Sequence, residues 1–254
     1  MGRFVSIAEA RAADGLRMAC IRKIPSPWQE AAKGIFHVKG LDCLYAAQSE
    51  TDVEQAIADW AGDSSIPVVA YRKEKLRTGW AEILMLSERL AEEPSLIPSD
   101  AGQRAWMFGL AHEICGEMGI GWCMRLLMLK AGMDHSGGVT LPPGPAAMLA
   151  AKYGFNPTHV AQAEDRVVDV LGVLDEALGD AEYFIGGGLS ALDIYWATMA
   201  NLISPLDAEK LPMSGFMRDI YATKNDRVLT ALTPALKTHQ ERVYERHLEL
   251  PVPV

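Results

Sequence analysis

The chain has 254 residues, with 24 Lys+Arg against 33 Asp+Glu and a formal charge of −9. Apolar residues make up 49% and charged residues 22%, globular proportions that exclude disorder, collagen and coiled coil. The acidic balance argues against nucleic acid as a partner, because phosphate binding needs a basic surface. A chain of this length has room for two domains.

Cys20, Cys43, Cys115 and Cys123 are too few for a disulfide scaffold, and none forms a C-x-x-C pair. His112 and Cys115, three apart, share a helix face but lack two further ligands in register. No metal site is expected, and reduced thiols in a cytoplasmic protein are the reading. Residues 1–14 lack the apolar region of a signal peptide. Met1, Gly2 and Ser6 match the minimal myristoylation pattern, which is short and common by chance. Residues 107–133 are interrupted by His112, Glu113, Glu117, Arg125 and Lys130 and cannot span a membrane. Residues 183–206 carry only Asp193 but contain a triple glycine and a helix start, so they read as a core helix.

In chain order, residues 1–15 form an extension. Residues 16–21 suit a strand, Pro25-Ser26-Pro27 is a break, and residues 28–38 form a helix stopped by Lys39-Gly40. Residues 42–47 give a second strand and residues 51–60 a helix with Val53, Ala56, Ile57 and Trp60 at helical spacing. Residues 66–71 are a strand, 73–75 a charged turn, and Leu76 opens another short segment. Residues 78–90 are helical. The order β-α-β-α-β-β-α defines an α/β unit over residues 16–91.

Residues 92–99, with two prolines, are the linker, and strand signals end there. An all-α unit over residues 99–249 follows. Residues 101–130 form a long helical region that Gly116, Gly119 and Gly121 can kink or divide. Residues 137–145 read as a loop. Asn156-Pro157 caps a helix that runs to Gly179. Residues 190–203 form the apolar helix, and residues 226–248 a final helix with a charged outer face.

Two segments together resemble the glutathione S-transferase family. The run Tyr183-Phe184-Ile185-Gly186-Gly187-Gly188-Leu189-Ser190-Ala191-Leu192-Asp193-Ile194 is similar to the family's Y-L-x-G-x-x-x-S/T-x-A-D-I, with Leu192 in place of the usual alanine. Ser190 and Asp193 have the spacing of a capping box. Pro25-Ser26-Pro27-Trp28 leading to Lys39-Gly40-Leu41 is similar to the family's S-P-x-x…K-G-x stretch. Ile66-Pro67-Val68-Val69 looks like the strand of thioredoxin-like domains in which the proline is cis and the preceding residue aligns glutathione.

The resemblance covers roughly residues 16–245 and implies a thioredoxin-like N-terminal domain followed by an all-helical C-terminal domain. It further implies a cytoplasmic, homodimeric transferase that conjugates glutathione, as co-substrate, to a small apolar electrophile. In it Ser26 stabilises the glutathione thiolate by a hydrogen bond, helped by the dipole of the helix it precedes. Trp28, Ile66, Pro67, Thr78 and Gly79 complete the binding set. Thr78 and Gly79 stand where the family usually has Glu/Gln-Ser for the γ-glutamyl end, so the hydroxyl is lost at the second position.

Each of these residues also has a plainer reading. Ser26 serves as a simple helix cap, Trp28 as packing, and Pro67 as a trans residue opening a strand. Lys33, His37 and Lys39 read as solvated residues of the first helix. Trp106, Trp122 and the nearby methionines suit either a co-substrate pocket or core. Gln48 is a guess for the group holding the glycyl carboxylate. The rival function is a non-catalytic member of the same fold, acting as a binding or scaffolding subunit.

Overall fold

The computed structural model describes residues 3–48, 60, 66–135 and 140–253. The α/β part comprises β1 (Arg3–Val5), α1 (Ile7–Ala12), β2 (Leu16–Ile21), α2 (Pro27–Val38), β3 (Cys43–Gln48), β4 (Val68–Tyr71) and α3 (Trp80–Leu90). The sheet order is β1-β3-β2-β4, with β2 parallel to β3 and antiparallel to β4. Central β2 is buried from Leu16 to Cys20, the near-continuous burial expected of a strand covered on both faces. The β2-α2-β3 crossover closes at Gly40, whose φ of +63° lets its N–H reach His37 O while Leu41 N–H reaches Phe36 O.

Three departures from the sequence reading concern this half. Residues 3–12, read as part of an N-terminal extension, form β1 and α1, and β1 pairs in parallel with the outer edge of β3. Ser6 caps α1 in a capping box with Glu9. The segment opening at Leu76 is not a strand but one bridge, Arg77 to Val69, because Gly79 already caps α3. Lys33 and Lys39 are buried rather than solvated. Lys33 pairs with Glu30 at 3.0 Å and donates to Pro253 O at 2.6 Å. Lys39 pairs with Glu88 at 2.7 Å and donates to Pro94 O at 2.8 Å. Both ammonium groups are satisfied by partners distant in sequence, which periodicity does not reveal. The expected helix over residues 51–60 lies outside the described residues except Trp60.

The helical part comprises α4 (Ala101–Cys115), α5 (Ile120–Met133), α6 (Pro143–Lys152), α7 (Pro157–Leu178), α8 (Ala191–Met199), a 3₁₀ turn (Ala200–Leu202), α9 (Gly215–Tyr221), α10 (Asp226–Ala231) and α11 (Pro234–His247). The long helical region divides between Cys115 and Ile120. A Cβ on Gly119 would stand 2.6 Å from Glu113 O, so only glycine fits the crossing. Part of the expected loop is helix α6, which starts with Pro143 at its first position. The expected last helix is two, because Pro234 cannot donate to a preceding turn and Thr233 restarts the chain by capping α11. Helix α9, unforeseen, starts from a Ser214 cap. Among the described residues no helix is long and apolar enough to cross a membrane.

Helix α8 is buried on every side and packs on α2, α4 and α11. Its first turn is organised by Asp193, fully buried. Ser190 and Asp193 form the capping box. Asp193 Oδ2 accepts from Ser190 N at 2.8 Å and Ser190 Oγ at 2.6 Å, and Oδ1 accepts from Phe184 N at 3.0 Å. His239 Nε2 of α11 lies 2.9 Å from the same Oδ1. Replacing Asp193 by Ala strands four buried polar groups and is expected to cost roughly 3–5 kcal/mol. Urea unfolding of the two proteins measures this, and a loss near zero would contradict the assignment.

Candidate active site

The site is built on the loop between β2 and α2. Gln29, buried in the first turn of α2, accepts from Ile21 N at 2.8 Å and donates to Ile21 O at 3.0 Å. One amide therefore ties the strand end to the helix start. Ser26 N donates to Ile24 O at 2.8 Å, and Tyr221 of α9 donates to Pro25 O at 3.3 Å. The loop is held from both halves of the molecule.

Ser26 occupies the cap position of α2, with φ −61° and ψ 122°, and Pro27 follows at the first helical position. Its side chain makes no bond to the helix it precedes. The plain capping reading therefore does not describe this residue. The half-buried hydroxyl stands at the positive end of a 12-residue helix. One turn on, burial raises the pKa of the Glu30 carboxyl, and the neighbouring Lys33 opposes that effect.

Trp28 is interface packing. Its Nε1 donates to Cys115 O, the end of α4, at 2.9 Å. Its ring lies 6.0 Å from Tyr153 and against Gly121, where an added Cβ would stand 2.9 Å from Trp28 Cζ2 and 2.8 Å from Met199 Sδ. The Ile66–Pro67 bond is cis. Trp28, Pro67 and Thr78 converge on one crevice, shared with Trp80 and Tyr195, of only about 10 Å³. That is room for about one water molecule. Ser26, Ile66 and Gly79 lie one or two residues along the chain from these but do not line it.

At the start of α3 Thr78 is exposed and Gly79 is the cap. The side chain of Glu82 reaches back beside the Gly79 backbone, whose N–H helps lower its pKa, the position a capping box gives its third residue. Lys75 holds the same carboxylate at 2.7 Å. The Lys75 hydrogen bond is the main reason the Glu82 pKa is lowered. This helix start already carries a carboxylate of its own.

Trp106 is exposed and Trp122 packs edge-on against Tyr153 at 5.0 Å; neither lines a cavity described here. Gln48 ends β3, and its side chain is outside what is described. All four cysteines are free and buried. Burial raises the pKa of each thiol, that of Cys20 to about 12 and that of Cys123 to about 11. Sequence reasoning missed Gln29, Tyr221 and Arg125. Only Arg125 left a signal, as a charge inside the apolar run of α5.

No protein-family model matches the chain, and no curated relative matches it by sequence. Solved structures do. A glutathione S-transferase from Methylobacterium radiotolerans, in complex with glutathione sulfonate, matches with TM-score 0.63 at 14% identity, covering 94% of each chain. One from Methylobacillus flagellatus with glutathione bound matches with TM-score 0.63 at 15% identity, covering 94% of this chain and all 100% of that one. Glutathione transferase Omega 3C from Trametes versicolor matches with TM-score 0.61 at 17% identity over 97% of this chain and 92% of that one. The protein thus has the glutathione transferase fold, a thioredoxin-like domain followed by a helical one. Identity this low establishes the fold, and the chemistry has to be argued from the residues.

The contact of Trp28 with Gly121 yields a test of how tightly the halves are seated. Gly121→Ala forces the indole and Met199 apart, and the strain outweighs the gain in helix propensity. A net loss of about 1–2 kcal/mol is expected in denaturant unfolding, shrinking when Trp28 is first changed to Phe. An unchanged stability would show that the interface is loosely packed.

Proposed function

We propose that the protein is a glutathione transferase that conjugates glutathione to a small electrophile, with Ser26 as the hydroxyl that stabilises the thiolate. The observation that carries this is the Ser26 side chain, half-buried and unused by its own helix at the positive end of α2. The thiol of glutathione is mostly protonated at neutral pH, and only its thiolate attacks well. A hydroxyl donor combined with a helix dipole favours the charged form and lowers the thiol pKa. The solved structures of the same fold that hold glutathione or its sulfonate support the choice of ligand. In this reading the Ile66 backbone aligns the tripeptide over the crevice beside Pro67 and Trp28, and the start of α3 receives the γ-glutamyl end.

Ser26→Ala is expected to raise the pKa of bound glutathione by about 1 and lower turnover at least ~tenfold, with little change in affinity. Ultraviolet absorbance of the thiolate across a pH series reads the first effect. Equal pKa values in the two proteins would remove Ser26 from the chemistry.

One observation favours the rival, a non-catalytic binding or scaffolding protein. The Glu82 carboxylate already stands beside the Gly79 N–H that an incoming γ-glutamyl carboxylate would use. Like charges at one helix start repel, so glutathione binds here only by displacing that side chain. Glu82→Gln is therefore expected to tighten glutathione binding about three- to tenfold in calorimetry. No binding by either protein up to ~10 mM would favour the scaffold.

A further inference from the structure

A cavity of about 420 Å³ lies within the helical half, between α5, α7, the 3₁₀ turn and α9 with the segment that follows it. Its size is that of a small-molecule site. Its walls include Met124, Leu127, Met128, Val160, Leu202 and Ile220, all apolar. Much of the rest of the lining is polar, with Lys130, Glu164, Asp165, Asp219 and Lys224 exposed or half-buried, and its one buried charge is Arg125. It lines the cavity, is 7% exposed, and has no carboxylate partner among the described residues. Tyr221 Oη accepts from its Nη2 at 3.2 Å, Met128 Sδ lies 3.6 Å from Nη1, and the Tyr153 hydroxyl is close by. Its Nε is buried with no hydrogen-bond partner.

A guanidinium that is buried, cationic at every working pH and short of an anion is poorly compensated by phenols and a thioether. The acids at the mouth do not supply the anion. Glu164 is held by Asn225 and Arg227, Asp165 by Arg227, and Asp219 is exposed. Exposed Lys224 adds positive charge at the rim, where Lys130 is paired with Asp134 and Arg227 with Glu164 and Asp165.

We infer that this cavity binds a small organic carboxylate with an apolar body, its carboxylate paired to Arg125. A carboxylate matches the planar guanidinium of Arg, and charge-assisted bonds to its Nη groups supply the anion that the phenols do not. The apolar part of the lining, Met124, Leu127, Met128, Val160, Leu202 and Ile220, covers the rest of the molecule. Tyr221 accepts from Arg125 while donating to Pro25 O, so the occupant sits one side chain away from the Ser26 loop. The inference stands whether or not Ser26 activates a thiol.

The test is calorimetric titration of the full chain with phenylbutyrate and with its neutral amide. Saturable binding of the acid is expected, with the amide at least about tenfold weaker. Arg125→Met should weaken the acid by a similar factor while raising the melting temperature, since an uncompensated buried charge is replaced by an apolar group of similar length. Ser26→Ala and excess glutathione should leave the acid's affinity unchanged. Equal binding of acid and amide, retention of affinity by Arg125→Met, displacement by glutathione, or no saturable heat up to ~10 mM each overturn the inference. If Arg125→Met fails to fold, the acid–amide ratio in the unaltered chain and in Arg125→Lys still decides, since Lys keeps the charge but not the fork.

Discussion

The fold depends on one buried carboxylate. Asp193 receives hydrogen bonds from Ser190 and from the Phe184 backbone, with His239 beside it. It therefore joins the glycine-rich turn, the start of α8 and the middle of α11 at a point closed to water. An ion or dipole in such surroundings demands full satisfaction, which leaves the three segments little freedom to be elsewhere. Because α8 packs on α2, α4 and α11, the placement of the helix that carries Ser26 is inherited from this point. The linker joins the same knot, where Ala191 N donates to Leu96 O at 2.9 Å.

The candidate site sets two helix starts against each other. At α2 the positive end faces a serine that its own helix does not use. At α3 the equivalent position is answered from within by Glu82, itself steadied by Lys75. The first favours an incoming thiolate and the second disfavours an incoming carboxylate. Both effects come from the same backbone dipole and differ only in which side chain reached it first. Glutathione carries both groups, so in the proposed reading the balance between these ends would set its affinity.

Local signals in the sequence were read well where a residue acts within a turn of itself. Gly40 ending α2, Asn156-Pro157 starting α7, and the Ser190–Asp193 box all act through bonds of three or four residues' span, and the structure has them. The all-round apolar pattern of α8 likewise requires burial. What stayed hidden depends on partners far along the chain. Lys33 and Lys39 show helical spacing on an outer face, and nothing nearby announces the carbonyls that bury them. Arg125 looks like a solubilising interruption until Tyr153 and Tyr221 close around it. Ser26 was legible as a helix start but not as an unspent hydroxyl. Proline misled in both directions, reading as loop where it opens α6 and passing unnoticed where it splits α10 from α11.

The bond from Lys33 to the carbonyl of Pro253 spans 220 residues, and this separation matters while the chain is being made. A ribosome releases the α/β half long before residue 253 exists. Until then the Lys33 ammonium, with Glu30 and the rings of Phe4 and Tyr45 beside it, lacks its carbonyl partner. The N-terminal half can collapse early, but its charged interior is completed last, after the helical half has folded and brought residues 250–253 back across α2. Synthesis order thus makes the first domain's final dehydration a late event, conditional on the second.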